Sequence, residues 1–234
     1  MKILLAGHEY SKRIIPASSY LIAKYLDFGF DVRFLNFGTY NGAIFSGIFE
    51  SMAPQQDGEA TNWGLYISDY LKKLTDEFVI FTLDDYFIYD YLKMDIYTAI
   101  LFKMKDNKNV VCGRLCASEF YIASGNYYMD GDFIVPTSNS WYTATAQYCI
   151  WRRDYLIELL LAFPNPWKFE VEGSFVLNRQ GKLVIGTNTP ALLYGESSCL
   201  SKKWPDKIKT GQMKDKDLNN LVKAGHLKLE EIIT

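Results

Sequence analysis

Histidine is nearly missing from this chain of 234 residues, which contains only His8 and His226. With so few imidazoles a histidine-based zinc site has no ligand set, and the four cysteines do not supply one. Cys112, Cys116, Cys149 and Cys199 form no Cys-x-x-Cys pair and sit in apolar or strand-like contexts. Reduced, buried thiols in a cytoplasmic protein are therefore expected. A Gly-x-Gly-x-x-Gly run is missing, as is a Gly-x-x-x-x-Gly-Lys loop, so neither the dinucleotide fingerprint nor the P-loop is present. No apolar stretch reaches the length of a membrane span; the longest candidate, Tyr155 to Phe163, is short and carries Glu158. The opening run from Ile3 to Ala6 is broken by His8-Glu9 before a signal peptide's apolar region would be complete. An excess of either charge is missing too. With 25 basic and 27 acidic side chains interspersed, the net charge is −2, and no electrostatic footprint for nucleic acid or an anionic membrane exists.

What the chain does have is apolar and aromatic content. Hydrophobic residues make up 49% and aromatics 16%, with 17 Tyr and 5 Trp, which excludes a disordered chain and suits one domain with a substantial core. The pattern opens as a strand (Ile3 to Ala6), a polar loop (Gly7 to Arg13), an amphipathic helix (Tyr20 to Leu26) stopped by Gly29, and an alternating strand (Asp31 to Phe37). Strand, helix, strand is the signature of a parallel α/β sheet. His8 lies in the loop directly after the first strand, a position suited to a nucleotide contact. Residues Gly38 to Thr61, rich in Gly, Asn, Gln and Pro, read as an excursion over the surface. A helix from Asn62 to Leu74 then feeds the strand Phe78-Val79-Ile80-Phe81-Thr82-Leu83. Further on, the pattern predicts a helix over Tyr86–Met104, a strand over Val110–Leu115 and short strands between Tyr121 and Tyr148. Helices are expected from Trp151 to Leu160, from about Trp167 to Arg179 and from Lys216 to Ala224, with a late strand at Leu183–Gly186. Arg152 and Arg153 read as a solvated helix face.

Two acidic clusters draw the chemistry. The Phe78 strand has the composition of one buried on both faces, yet it ends in Asp84-Asp85, and an unpaired carboxylate in an apolar interior costs several kcal/mol. A central strand whose carboxyl end emerges into a cleft accounts for that, since ligands bind at this edge in open α/β sheets. Two acids there suit a divalent metal and a diphosphate; the plainer reading is a helix cap. The second cluster is Glu170 with Glu172, beside Trp167 and Phe169. Transfer of a sugar from a nucleotide diphosphate needs both functions: one to stabilise the departing charge, one to take a proton from the attacking hydroxyl. The plainer reading of Glu170 and Glu172 is as first-turn residues favouring a helix dipole. Arg114, after a strand, is placed to pair with phosphate or with an aspartate.

Three blocks, in order, resemble a known family: Trp63 through Phe87 ending in Leu-Asp-Asp-Tyr-Phe, then Gln147-Tyr148-Cys149-Ile150-Trp151-Arg152-Arg153, then Asn165-Pro166-Trp167-Lys168-Phe169-Glu170 with Gly173-Ser174. Together they cover most of residues 60 to 180 and resemble GT-A-type glycosyltransferases, particularly small bacterial and viral enzymes of surface-polysaccharide assembly. The resemblance implies an α/β, GT-A-like (Rossmann-like) fold, a mixed, mostly parallel sheet flanked by helices. It implies one domain over 1–234, with a nucleotide-sugar half (1–115), an acceptor half (116–204) and a C-terminal tail (205–234). By the same resemblance Asp84 and Asp85 take the place of the D-x-D metal motif, with Mn2+ or Mg2+, and Asp85 is favoured because it lies further toward the cleft. This sequence has adjacent rather than spaced aspartates. His8 and Arg114 are the other donor-side candidates, and Glu170, with Glu172 in reserve, is the candidate base. Gln147, Trp151 and Trp167 are the substrate-side candidates, Trp151 being equally suited to core packing. The expected partners are a nucleotide-sugar donor and a glycan or lipid-linked glycan acceptor. Two rivals share the residues: a metal-dependent nucleotidyltransferase, and a non-catalytic glycan- or nucleotide-binding protein of the same fold.

Overall fold

A computed structural model describes residues 1–26, 28–52, 59–116, 122 and 125–194. The expected Lys216 helix, the tail, His226 and Cys199 lie outside the described residues.

Consecutive short apolar runs form the frame. In chain order they are β1 (Lys2–Ala6), α1 (Ile15–Tyr25), β2 (Asp31–Asn36), β3 (Ile48–Ser51), α2 (Glu59–Leu71), β4 (Phe78–Leu83), α3 (Met94–Asp106) and β5 (Val110–Arg114). There follow β6 (Tyr127–Asp130), β7 (Phe133–Pro136), β8 (Cys149–Arg152), α4 (Arg153–Ala162), α5 (Pro166–Arg179) and β9 (Leu183–Thr187). The nine strands make one sheet in the order β3-β2-β1-β4-β8-β5-β9-β7-β6. Only β8 and β7 run against the rest, so the sheet is mixed and mostly parallel.

Alternation along each strand divides the core in two. Ile3 and Leu5 of β1, Phe34 of β2, Ile80 of β4 and Ile150 of β8 face α1 and α3, where Leu21, Ile22, Ile100 and Met104 meet them. Leu4, Val79, Phe81 and Trp151 point the other way, onto Trp63 and Ile67 of α2, Leu156 and Leu160 of α4, and Phe169 of α5. The result is a helix–sheet–helix sandwich in which central strands bury both faces. Asn165 caps α5, its Oδ1 accepting from the N–H groups of Trp167 and Lys168 at 3.0 and 3.2 Å, with Pro166 in the first turn.

Four expectations need correction. Part of the Gly38–Thr61 stretch is sheet: β3 pairs in parallel with β2, and α2 begins at Glu59. The expected Tyr86–Met104 helix begins only at Met94, because Tyr86, Phe87 and Ile88 are all buried, which one helical face cannot achieve. The chain there runs irregularly and Ile88 bridges Tyr194. Trp151 does not open a helix; it lies in β8, inserted antiparallel between β4 and β5, and the helix starts at Arg153. Arg152 is no solvated helix residue either. Its guanidinium reaches the Val110 carbonyl at 3.0 Å and Glu77 at 2.7 Å, and stacks over Phe78.

Candidate active site

At the carboxyl ends of β1 and β4 the strand order reverses direction: β1 leads outward to β2 on one side, and β4 lies on the other. Such a switch point opens a crevice in α/β sheets. The main chain of four segments is tied together here. The Gly7 N–H donates to the Leu35 carbonyl at 2.9 Å, the Asp84 N–H to the Ala6 carbonyl at 3.1 Å, and the Leu83 N–H to the Ala146 carbonyl at 3.0 Å.

Asp84 turns inward from this edge and is 3% exposed. Its Oδ2 accepts from the Ser11 hydroxyl at 2.5 Å and from Asn36 Nδ2 at 3.5 Å. Ser11 is itself fixed, accepting from the His8 N–H at 2.9 Å and from Asn36 Nδ2 at 3.0 Å. Gly7 is required by the same close approach. A Cβ there would stand 1.9 Å from Asp84 Oδ2. Burial, and then the neighbouring charge of Asp85, push the Asp84 carboxyl well above its ordinary value of 3.8, against the pull of the Ser11 and Asn36 hydrogen bonds. Asp85 is the partly exposed member of the pair. Beneath both, the fully buried Tyr148 phenol is pushed upward by burial and by the charges of Asp84 and Asp85. Its hydroxyl has no hydrogen-bond partner among the described residues.

Glu170 reaches the same edge from α5. Its Oε1 accepts from the Ala146 N–H at 2.9 Å and from the Thr145 hydroxyl at 3.1 Å. Ala146 thereby stands between Glu170 and the end of β4, one residue short of Asp84. The docking is repeated up the helix. Ser174 Oγ accepts from the Ala144 N–H at 2.9 Å, and Asn178 Nδ2 donates to the Ser140 carbonyl at 3.1 Å. Side chains at 170, 174 and 178 share one helical stripe, so α5 holds the 140–146 segment as a strut.

Arg114, at the end of β5, is buried and donates from Nη1 to the Tyr142 carbonyl at 3.2 Å and from Nη2 to Gln147 Oε1 at 2.9 Å. Gln147 thus serves the guanidinium. His8 stands in the loop after β1 with its ring edge-on to Phe37 at 6.2 Å. Two substrate-side candidates separate sharply. Trp167 is 69% exposed on the first turn of α5, whereas Trp151 has no exposed surface and packs 5.9 Å from Phe169. A side chain wholly inside the core offers no face to a sugar ring. Glu172 is exposed, away from the stripe that Glu170 occupies, and pairs loosely with Lys168 at 3.9 Å. The structure therefore gathers Asp84, Asp85, His8 and Glu170 at one edge, with Arg114 and Gln147 bracing its neighbour, and leaves Trp151 and Glu172 elsewhere.

Sequence reasoning missed Gly7, Ser11, Asn36, Thr145 and Tyr148. Ser11 and Asn36 carried a faint signal, small polar groups in the loop after β1 and at the last position of β2. Among the described residues no group of three or more His, Cys, Asp or Glu side chains is arranged to hold a metal ion. A surface groove of about 570 Å³ lined by Asp95, Phe102, Lys103 and Phe133 shares no residue with the acidic edge.

No family model matches the chain, and no curated protein matches it. Some solved structures do resemble it in fold. One is S. aureus TarS 1-349, at 14% identity and TM-score 0.47, with 83% of this chain and 60% of that one covered. Another is an active-site mutant of the galactosyltransferase LgtC, at 12% identity and TM-score 0.48, covering 80% and 72%. A third, a CMP-2-keto-3-deoxy-manno-octonic acid synthetase complexed with CTP, aligns at 13% identity and TM-score 0.49 over 91% and 97%. The chain thus spans about 60% of the TarS 1-349 length. At these identities and TM-scores the likenesses assign no role to any residue. What the acidic edge can do follows from its own geometry.

Proposed function

We propose that this chain transfers a sugar from a nucleotide-diphosphate donor to a hydroxyl of a glycan acceptor, with inversion at the anomeric carbon. The observation that supports the reading is the hydrogen-bonded path from Leu83 of β4 through Ala146 to Glu170, which ties a carboxylate from the second half of the chain to the residue just before Asp84-Asp85 in the first. The donor half is residues 1–115 and the acceptor half 116–204, interleaved because β8 inserts between β4 and β5. The acceptor is a glycan or lipid-linked glycan, the chemistry that a base beside exposed aromatics suits. Free, buried Cys112, Cys116 and Cys149 suit a reducing cytoplasm. Among the described residues no helix is long and apolar enough to cross a membrane.

The donor set bears on the metal. Asp84 Oδ2 is already engaged by Ser11 and Asn36, so Asp84 positions the turn, and Asp85 would be the carboxylate to hold a cation. Mn2+ and Mg2+ fit such a sparse site when diphosphate and water supply the remaining oxygens. The cation, when bound, neutralises the diphosphate that leaves. Glu170 is oriented through Oε1 by two donors, which directs Oε2 to the acceptor hydroxyl as the proton's destination. As the acceptor oxygen bonds to the anomeric carbon, the bond to the diphosphate breaks, the diphosphate keeps the electron pair, and the proton passes to Glu170. His8, at the mouth of the loop after β1, lies toward the nucleotide.

Thermal stabilisation against UDP-, GDP-, CMP- and TDP-sugars, with and without manganese, tests the reading. A manganese-dependent shift with one donor, lost in Asp85→Asn, is expected, as is loss of transfer in Glu170→Gln with Glu172→Gln near wild type. Transfer retained in Glu170→Gln and lost in Glu172→Gln overturns the base assignment. No shift with any sugar nucleotide, or pyrophosphate release from a nucleoside triphosphate, overturns the transferase reading.

A further inference from the structure

Beside the Glu170 stripe of α5 runs a second one. Trp167, Val171 and Phe175 follow at intervals of four, so they line one face over about 12 Å of helix. Trp167 and Phe175 are 69% and 48% exposed. The loop that α5 braces adds two more rings: Trp141, packed edge-on to Phe175 at 5.5 Å, and Tyr142. Trp141 is 55% and Tyr142 47% exposed.

Burial explains none of these rings, and the backbone beneath them is strained. Tyr142 is the one non-glycine residue with positive φ among the described residues, at 54°. For a bulky side chain that conformation costs of order 1–3 kcal/mol and persists only where surroundings impose it. They do so here. The buried Arg114 guanidinium holds the Tyr142 carbonyl at 3.2 Å, while Thr143, Ala144, Thr145 and Ala146 are bonded to Asn178, Ser174 and Glu170. A buried charge and a helix stripe together fix a loop whose outward residues are aromatic.

We propose that Trp141, Tyr142 and Phe175, continued by Trp167, form a stacking platform for the pyranose rings of an oligosaccharide whose terminal hydroxyl lies at Glu170. The occupant follows from the chemistry. Flat rings bearing an indole N–H and a phenol match the apolar face and equatorial hydroxyls of a sugar, and Thr145, which bonds Glu170, lies three residues from Tyr142. A strip rather than one pocket favours a chain of sugars over a monosaccharide. Arg114 is a positioning residue of this platform. The inference rests on the glycosyltransferase reading for its register with Glu170, but the platform itself does not.

Titration of tryptophan fluorescence with cellotetraose, chitotetraose and lactose tests it, in wild type, Trp141→Ala, Phe175→Ala and Tyr142→Gly. The last variant removes a ring and relieves the positive φ, so it keeps the test open should the others fail to fold. Saturable binding of at least one tetraose, weakened about tenfold in Trp141→Ala and in Tyr142→Gly, is expected. Equal affinity in all four proteins overturns the proposal, and so does the lack of saturable binding to any of the three sugars. Sugar-nucleotide thermal shifts, measured in parallel, are expected to be the same in all four. If those shifts are missing while tetraose binding depends on Trp141, the transferase reading falls and the platform stands.

Discussion

Replacing Gly7 by alanine adds one methyl group to the most crowded point of the acidic edge. Gly7 does not have a positive φ, so alanine meets no backbone strain, and the loss of unfolded-chain freedom would by itself stabilise by about 0.4–1 kcal/mol. The new Cβ, however, would lie 1.9 Å from Asp84 Oδ2, 2.5 Å from its Cγ and 2.5 Å from Ser11 Oγ. Asp84 must move, because real Cβ atoms do not approach that closely. Overpacking at a buried position costs about 1–3 kcal/mol, and leaving a buried carboxyl without its hydrogen-bond donor about 1–3 kcal/mol. The net expectation is destabilisation by about 2–5 kcal/mol, read as a lower urea midpoint at unchanged m-value. In an Asp84→Ala background the two closest atoms are gone, while the Ser11 Oγ contact at 2.5 Å stays. Gly7→Ala should then cost less by at least about 1 kcal/mol, the coupling expected of residues in contact. A cost below about 0.5 kcal/mol in wild type, or a coupling near zero, would refute the view that Gly7 exists to admit the Asp84 carboxylate.

Titration of Asp84 gives a second outcome. Its native carboxyl holds a proton more tightly than the unfolded chain does, so the stability it contributes is fully present below 3.8 and is lost as pH rises toward its native value. Urea midpoints of wild type minus Asp84→Asn should therefore fall with rising pH, and a rising difference would show Asp84 natively ionised. Trp151→Ala should cost about 3–5 kcal/mol in stability, since the ring fills core between β8 and Phe169; a fully stable variant with weakened acceptor affinity would contradict its burial. Arg114→Met removes the guanidinium donors to the Tyr142 carbonyl and to Gln147 Oε1 and should destabilise by about 2–4 kcal/mol, checked by denaturation, with a neutral effect refuting the bracing role.

The sequence alone determined that β1, β2, β4 and β5 exist and that the first units are wound in parallel, because their apolar periodicity and flanking turns admit little else. It likewise marked Asp84-Asp85 and Glu170, since a carboxylate at the end of a buried strand or beside an aromatic run is locally anomalous. What each of those acids bonds to came from long-range packing: Asp84 to Ser11 and Asn36, Glu170 to Thr145 and Ala146. Trp151 shows why: an apolar run of Tyr148 to Trp151 followed by a helix has the same pattern whether it starts that helix or slots between two distant strands. Long-range pairing with β4 and β5 chose the strand and buried the ring. Glu170 and Glu172 differ by two positions on one helix, yet only Glu170 shares the stripe of Ser174 and Asn178 that docks on residues 140–146. Gly7, Ser11 and Asn36 are unremarkable as letters. They matter because parallel pairing brings the ends of β1, β2 and β4 to one edge, where Ser11 and Asn36 both donate to the buried Asp84 Oδ2 and a glycine makes room for it.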